Sequence, residues 1–236
     1  MEALQEHDSG RVTKLADALE LAPSTVHSHL TTLLANGYAI KEGDEYYLSL
    51  RFLEHGKYVR NRKNAYRTAK SYTKRLAEET DYRVEFTIEE NGRGIYMYTS
   101  SGKHAVWTYS TIGKRFYLHQ AAAGKAILSR SSRTFVEEII DRWGFPSATE
   151  DTVTNAKTLF YQPEAIRESR ISFNYEEQLE GIKAVGIPVN RSDGRVIEAL
   201  SIASSPKRLT DEQFEEDIPD VLFGVANEFE LKLSLP

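Results

Sequence analysis

The chain has 236 residues, 40% of them hydrophobic and none of them cysteine: enough for one large packed domain or two smaller ones, with disulfides, cysteine-ligated zinc and thiol nucleophiles excluded. No apolar run approaches the roughly 20 residues of a membrane span, and the N-terminus lacks the basic start and apolar core of a signal peptide, which suits a cytoplasmic protein. The net charge of −5 is unevenly spread: residues 51–75 hold nine Lys or Arg against one acid, Glu54, a local +8, while the remainder holds 21 basic and 34 acidic residues. Such a belt meets a polyanion, unless it pairs with acidic surface of the same protein or of a partner subunit.

Residues 1–8 read as a helical stub and Asp8-Ser9-Gly10 as a turn. Thr13 is placed to cap the next helix, which turns Leu15, Ala16 and Leu19 inward. A tight turn at Leu21-Ala22-Pro23 leads into a longer helix, since Pro23 suits the first helical position. Val26, Leu30, Leu33 and Leu34 form its apolar stripe. Ser24, Thr25, Ser28, Thr31 and Thr32 lie opposite, with His27 and His29 on the flanks, and Asn36-Gly37 ends the helix by a left-handed turn. Two short strands follow around Glu42-Gly43-Asp44, expected to pack Ile40, Tyr47 and Leu48 back on the helices. Taken alone, the second helix reads equally as an ordinary amphipathic helix. Preceded by a helix and turn and followed by a hairpin, it has the pattern of a winged helix-turn-helix, whose second helix enters the DNA major groove.

A polar helical segment runs from Arg51 to about Asn61, and the apolar pattern thins near residues 61–63, where a domain boundary is expected. A helix over about 65–80 buries Ala69, Tyr72 and Leu76. Val84, Phe86 and Ile88 then alternate with Arg83, Glu85 and Thr87, which predicts a half-buried strand. Asn91-Gly92 turns it into a return strand over 95–99, with a third strand expected at Val106–Tyr109. Helices are expected to start in HQAAAGKAILS and over 132–143 and 164–169. Lys183–Val189 reads as a strand, Ser192-Asp193-Gly194 as its turn and Val196–Ala203 as its partner. Thr210 and Gln213 have capping-box spacing for a last helical segment, interrupted at Pro219 and facing Leu222, Val225, Phe229 and Leu233 inward. Strands in meander with helices at the ends predict an α+β domain around an antiparallel sheet.

The stretch Val12–Leu50 resembles the DNA-binding domain of the IclR (isocitrate lyase regulator) family of prokaryotic transcription factors. It has Leu21, Ser24-Thr25-Val26-His27, Leu34, Gly37-Tyr38 and Tyr47-Leu48 at the matching places. The resemblance extends over nearly the whole chain through Leu118-His119 with Lys125-Ala126, then Glu177, Gly181 and Gly186-Ile187-Pro188-Val189, then Gly194 with Ala199-Leu200-Ser201-Ile202. It implies an N-terminal winged helix-turn-helix over 1–50, a linker helix over 51–63 and a GAF-like effector-binding domain with an antiparallel sheet over 64–236. It also implies a DNA-binding transcription regulator that acts on double-stranded DNA as a homodimer or tetramer. A small organic-acid or aromatic-acid effector would control it, and it needs no cofactor. Ser24, Thr25, Ser28 and Thr32 are then the groove-facing side chains, and Arg11, Lys14, Lys41 and Arg51 the candidate phosphate contacts.

For the effector, Ala121–Ala123 start a helix with almost no side-chain bulk, and free N–H groups at a helix start favour a carboxylate. Ser201 can add a hydroxyl. With the resemblance, this implicates Ala122, Ala123, Ile187, Ser201 and Ala203. Trp107, Tyr109 and Ile112 are candidates for the pocket wall, or plain core. The competing reading is that the small residues only allow close helix–sheet packing. An enzyme is not supported: His119 has no nucleophile-type partner in sequence, and the six histidines lack metal-ligand spacing.

Two departures bear on DNA binding. The family commonly has Lys before the Ser-Thr pair and Arg two residues beyond Val, where this chain has Pro23 and Ser28. Residues 1–50 hold three basic and eight acidic residues, with Glu42, Asp44 and Glu45 at the wing tip. This supports an alternative in which a metabolite-binding module uses its winged helix for protein association.

Overall fold

Three helices open the chain: α1 (Glu2–Glu6), α2 (Val12–Leu19) and α3 (Pro23–Ala35). The computed structural model describes residues 1–103, 105, 110–155, 166–190 and 198–234, and the chain divides into two units, Met1–Arg62 and Lys63–Pro236. In the first unit, β1 (Ala39–Glu42) pairs antiparallel with β2 (Glu45–Leu48), and α4 (Arg51–Asn61) follows. The α2–α3 turn is made by Glu20, whose φ of 53° closes α2, and by Ala22, which is extended ahead of Pro23. At the far end of α3, Gly37 takes φ +70°, and the N–H groups of Gly37 and Tyr38 return to the carbonyls of Leu34 and Leu33 at 2.9 and 2.8 Å.

Leu4, Leu15, Ala16, Val26, Leu30 and Tyr46 form the core of this unit. The hairpin therefore turns Ala39 and Tyr46 inward rather than Ile40 and Tyr47. Tyr46 is 4% exposed and Ile40 42%. The two-residue turn at Gly43-Asp44 and the Gly10–Tyr46 bridge set this register, and a one-residue slip exchanges the two faces. Thr13 does not cap α2. The cap position is Arg11, with no side-chain hydrogen bond, and Thr13 lies inside the first turn.

The second unit comprises α5 (Asn64–Thr80), β3 (Arg83–Glu90), β4 (Arg93–Ser101), β5 (Arg115–Tyr117), α6 (Ala122–Arg130), α7 (Arg133–Trp143), β6 (Ser172–Tyr175), β7 (Lys183–Val189), β8 (Glu198–Ser204) and α8 (Ile218–Ser234). The strands form one sheet in the order β5-β4-β3-β8-β7-β6, every neighbouring pair antiparallel. One face carries Val84, Phe86, Ile88, Val185, Ile187, Leu200 and Ile202 against α5 and α8, where Tyr72 stacks on Phe229 with centroids 4.8 Å apart. Opposite, Ala199 packs with Ala123, Ala126 and Ile127 of α6. Both faces of β3 are therefore covered. Glu85 and Thr87, expected on a solvated face, are buried.

Thr210 and Gln213 form the expected reciprocal cap, with Gln213 N–H donating to Thr210 Oγ1 at 3.1 Å and Thr210 N–H to Gln213 Oε1 at 3.0 Å. The interruption expected at Pro219 takes the form of a π-type turn over Gln213–Asp217, which leads without a break into α8, where Pro219 is the second residue. Residues 166–169 are helical. The strand expected at Val106–Tyr109 and the turn at Ser192-Asp193-Gly194 lie outside the described residues. Among those described, no helix is long and apolar enough to cross a membrane.

Candidate functional site

The outer face of α3 is built from residues that have no place in the core. Val26 and Leu30 point inward, so Ser24, Thr25, Ser28 and Thr32 share an arc of about 100° on the opposite side at 100° per residue, and all four are exposed. Thr32 Oγ1 donates back to the Ser28 carbonyl at 3.0 Å, and Thr31 Oγ1 to that of His27 at 2.8 Å, so these hydroxyls are satisfied within the helix yet keep acceptor capacity.

The four expected phosphate contacts are exposed but differently engaged. Arg11 Nε lies 3.8 Å from Glu45, whose carboxylate also accepts from Ser9 at 2.7 Å. Those partners hold the Glu45 carboxyl below its usual pKa, the Ser9 hydrogen bond foremost. Arg51 donates to the Asn36 carbonyl at the end of α3 and stacks over the Tyr38 ring at 4.9 Å. Lys41 sits over the Tyr46 ring at 5.4 Å, and Lys14 is exposed on α2. In the second unit, part of the basic belt is spent internally. Arg75 makes a bidentate pair with Glu228 at 3.0 and 2.6 Å, and Lys74 pairs with Glu78 at 3.5 Å.

The second unit contains a cavity of about 280 Å³ between the sheet and the start of α6. Gly186 creates the close approach: a Cβ there would lie 2.6 Å from the Ala122 carbonyl carbon and 2.8 Å from the Ala123 nitrogen. Ala121, the cap residue, makes no side-chain capping bond, so the start of α6 lacks a side-chain cap where Ala121, Ala122 and Ala123 line the cavity. Ala122, Ala123, Ser201 and Ala203 all line the cavity. Ile187 does not. Strand period places it one residue out of phase with Ala184 and Gly186, on the face packed against α5 and α8. Ile112 is half exposed and is not one of the lining residues, while Trp107 and Tyr109 lie outside the described residues.

Sequence reasoning missed the charged part of this site. Arg93, Lys114 and Arg115 line the cavity, and Glu85 is the one carboxylate in its described lining. Arg93 lies 3.7 Å over the Tyr117 ring and donates to the Phe116 carbonyl at 3.1 Å. Arg115 pairs at 3.8 Å with Glu90. Glu85 projects from the centre of β3, where burial pushes its pKa up against the opposing effects of Ser110, Arg83 and Ser201. Tyr96 donates to Gln178 Oε1 at 3.1 Å, and burial raises its phenol well above the usual range. The signal available in sequence was the run EALSIAS in β8: small residues at alternate positions mark a strand approached on its second face, which brings the neighbouring Glu85 indoors.

His119 is buried behind this wall. Its Nε2 is 3.1 Å from the Pro146 carbonyl, its ring meets Phe145 edge-on, and burial lowers its pKa. That is a packing and hydrogen-bonding role. Among the described residues, no group of three or more His, Asp or Glu is disposed to hold a metal.

Comparison with known proteins places these features. Residues 57–226 match the family described as bacterial transcriptional regulator IclR C-terminal, and residues 1–43 match the IclR helix-turn-helix domain. The chain is 28% identical to the probable HTH-type transcriptional regulator ArcR of Halobacterium salinarum, over 99% of this chain and 90% of that protein. Its fold is similar to the crystal structure of Thermotoga maritima IclR, at 24% identity and a TM-score of 0.78, covering 96% of this chain and 92% of that one. It is also similar to an IclR homologue from Microbacterium hydrocarbonoxydans complexed with 4-hydroxybenzoate, at 18% identity and a TM-score of 0.80, covering 95% and 91%. With matches to both family domains, the chain belongs to the IclR family and is a DNA-binding transcription regulator.

Proposed function

We propose that this regulator binds its operator as a homodimer or tetramer and that a small organic or aromatic acid, held in the cavity of the second unit, controls that binding. Residues 1–50 act as the DNA-binding domain, 51–63 as the linker helix and 64–236 as the effector-binding domain. Ser24, Thr25, Ser28 and Thr32 face the major groove, with Lys14 and Lys41 on phosphates. Two-fold symmetry then requires half-sites about one helical turn apart or multiples of it.

One observation carries the effector reading: the start of α6, which has no side-chain cap, borders a cavity whose described lining holds three cationic residues, Arg93, Lys114 and Arg115, and one carboxylate. Helix-start N–H groups and cations together favour an anion, and the apolar lining supplied by Tyr96, Phe116 and Leu179 suits a carbon frame. The relative complexed with 4-hydroxybenzoate supports an aromatic acid as one candidate. The acid acts through its different affinity for two arrangements of the regulator.

The test is capture of sheared source-genome DNA on the purified protein, followed by titration of a retained site with and without a panel of small acids. A shared palindrome, and at least one acid that moves operator affinity about fivefold or more, is the expected result. No enrichment at any salt concentration would favour protein association as the role of the winged helix. Enrichment without any acid effect would remove the effector assignment alone.

A further inference from the structure

A second cavity, of about 290 Å³, lies at the β6 end of the sheet. Ile166, Ile171, Phe173 and Tyr175 supply its apolar surface, and Lys125 of α6 and Glu177 its charged groups. None of these residues lines the first cavity. Strand alternation keeps the two apart: Asn174 faces the first, and Phe173 and Tyr175, one residue out of phase, face the second. Tyr175 is 44% exposed, so its wall of the cavity meets solvent.

The two charged residues are paired but not satisfied. Lys125 and Glu177 are 3% and 5% exposed, and the Lys125 ammonium donates to Glu177 Oε1 at 2.5 Å. Glu177 Oε2 is buried and has no hydrogen-bond partner. The rest of that residue is well held: its N–H donates to Asn174 Oδ1 at 3.2 Å, and its carbonyl accepts from Thr152 Oγ1 at 2.7 Å. Lys125 carries three donors and, among the described residues, has one acceptor, Glu177 Oε1. An open acceptor and open donors therefore stand side by side on residues that line an otherwise apolar cavity. Polar groups left open in a buried position are costly.

The pair discriminates by charge. A carboxylate would gain the donors of Lys125 but face Glu177, and an ammonium would gain Glu177 but face Lys125. Either would add a net charge to a buried pair that is already neutral. A neutral group with a donor and an acceptor on neighbouring atoms meets both needs. We propose that this second cavity binds a small neutral carboxamide with an apolar body. The amide N–H donates to Glu177 Oε2, and its carbonyl accepts from Lys125 Nζ. The body packs against Ile166, Ile171, Phe173 and Tyr175. The site is independent of the acid-effector reading and takes a ligand of different charge.

The experiment measures binding of benzamide and acetophenone to the full chain by ligand-observed NMR, and locates benzamide in a soaked crystal. Acetophenone keeps the ring and the acceptor but lacks the donor. Benzamide is expected to bind about tenfold or more tightly, with its amide against Lys125 and Glu177. An excess of benzoate or of benzylamine is expected to leave benzamide in place, even if benzoate fills the first cavity. The double substitution K125M/E177L removes both polar partners and strands neither charge, and is expected to bind benzamide and acetophenone alike. No binding of benzamide, equal binding of the two probes by the wild type, displacement by either charged probe, or benzamide found only in the first cavity overturns the inference. So does a preference for benzamide that K125M/E177L leaves unchanged. The wild-type comparison decides the matter even if the variant fails to fold.

Discussion

Lys125 on α6 and Glu177 in the loop after β6 form an ion pair of 2.5 Å between side chains only 4% and 7% exposed. The pair joins the helix whose start borders the cavity to the loop that contributes Gln178 and Leu179 to its wall. Burial lowers the Lys125 pKa, and Glu177 opposes that shift. Removing one partner strands the other as a buried charge. Lys125→Met is expected to cost about 3–5 kcal/mol, and the double substitution K125M/E177L to recover most of it. Urea unfolding of the single and double variants measures both, and full additivity of the two changes would show that the pair is not coupled.

The hairpin register makes a second expectation. Tyr46 fills the core of the winged helix while Ile40, expected inward from the sequence, is largely exposed. Tyr46→Ala should cost about 3–5 kcal/mol, as for other large buried aromatics, and Ile40→Ala about 0.5 kcal/mol or less. The opposite order in thermal unfolding of the two variants would mean that the other face of the hairpin packs inward.

The cations of the winged helix should separate by their partners. Arg11 is engaged by Glu45 and Arg51 by the end of α3, whereas Lys14 is exposed on α2. In salt titrations of operator binding, Lys14→Ala is expected to reduce the slope of log K against log salt by about 0.9 for each phosphate that the lysine neutralises. Arg11→Ala should leave that slope nearly unchanged. Arg51→Ala should instead destabilise the unit by about 1–2 kcal/mol, because the Asn36 carbonyl and the Tyr38 ring are left without the guanidinium.

Glu85 gives stability a pH dependence of known sign. Its folded-state pKa is raised above the ordinary 4.5 by burial, so above that pH the native state holds a proton that the unfolded chain releases. Its contribution to stability is therefore fully present below about pH 4.5 and is lost as pH rises through the folded-state value. Glu85→Gln removes this dependence. Melting temperatures of the two proteins, compared from pH 4.5 upward, should shift progressively in favour of the variant. A constant difference across that range would mean that the carboxyl titrates alike in both states.

Much of the protein was legible because it depends on local rules. The 3.6-residue stripe of Val26 and Leu30, the Asn36-Gly37 stop and the Thr210–Gln213 cap are each set by neighbours within a few residues, and they recur in the fold as expected. The helix start at Ala121–Ala123 was readable for the same reason. Ile187, Glu85 and Tyr46 were not, because their side depends on what covers a sheet or closes a hairpin. Alternation along a strand defines two faces without saying which is buried, or whether both are.

The sequence by itself thus determined the winged helix-turn-helix pattern, the position of the recognition-type helix and the small-residue helix start. These arise from backbone propensity and periodicity over short spans. Only the tertiary structure decided that α6 covers the second face of the sheet. Once it does, Glu85, Ser201 and Gly186 stand in one row beside the α6 start, although 116 residues separate Glu85 from Ser201. The physical reason is long-range antiparallel pairing: cross-strand register brings these groups together, and burial between sheet and helix changes a carboxylate from a solvated surface group into part of a cavity wall.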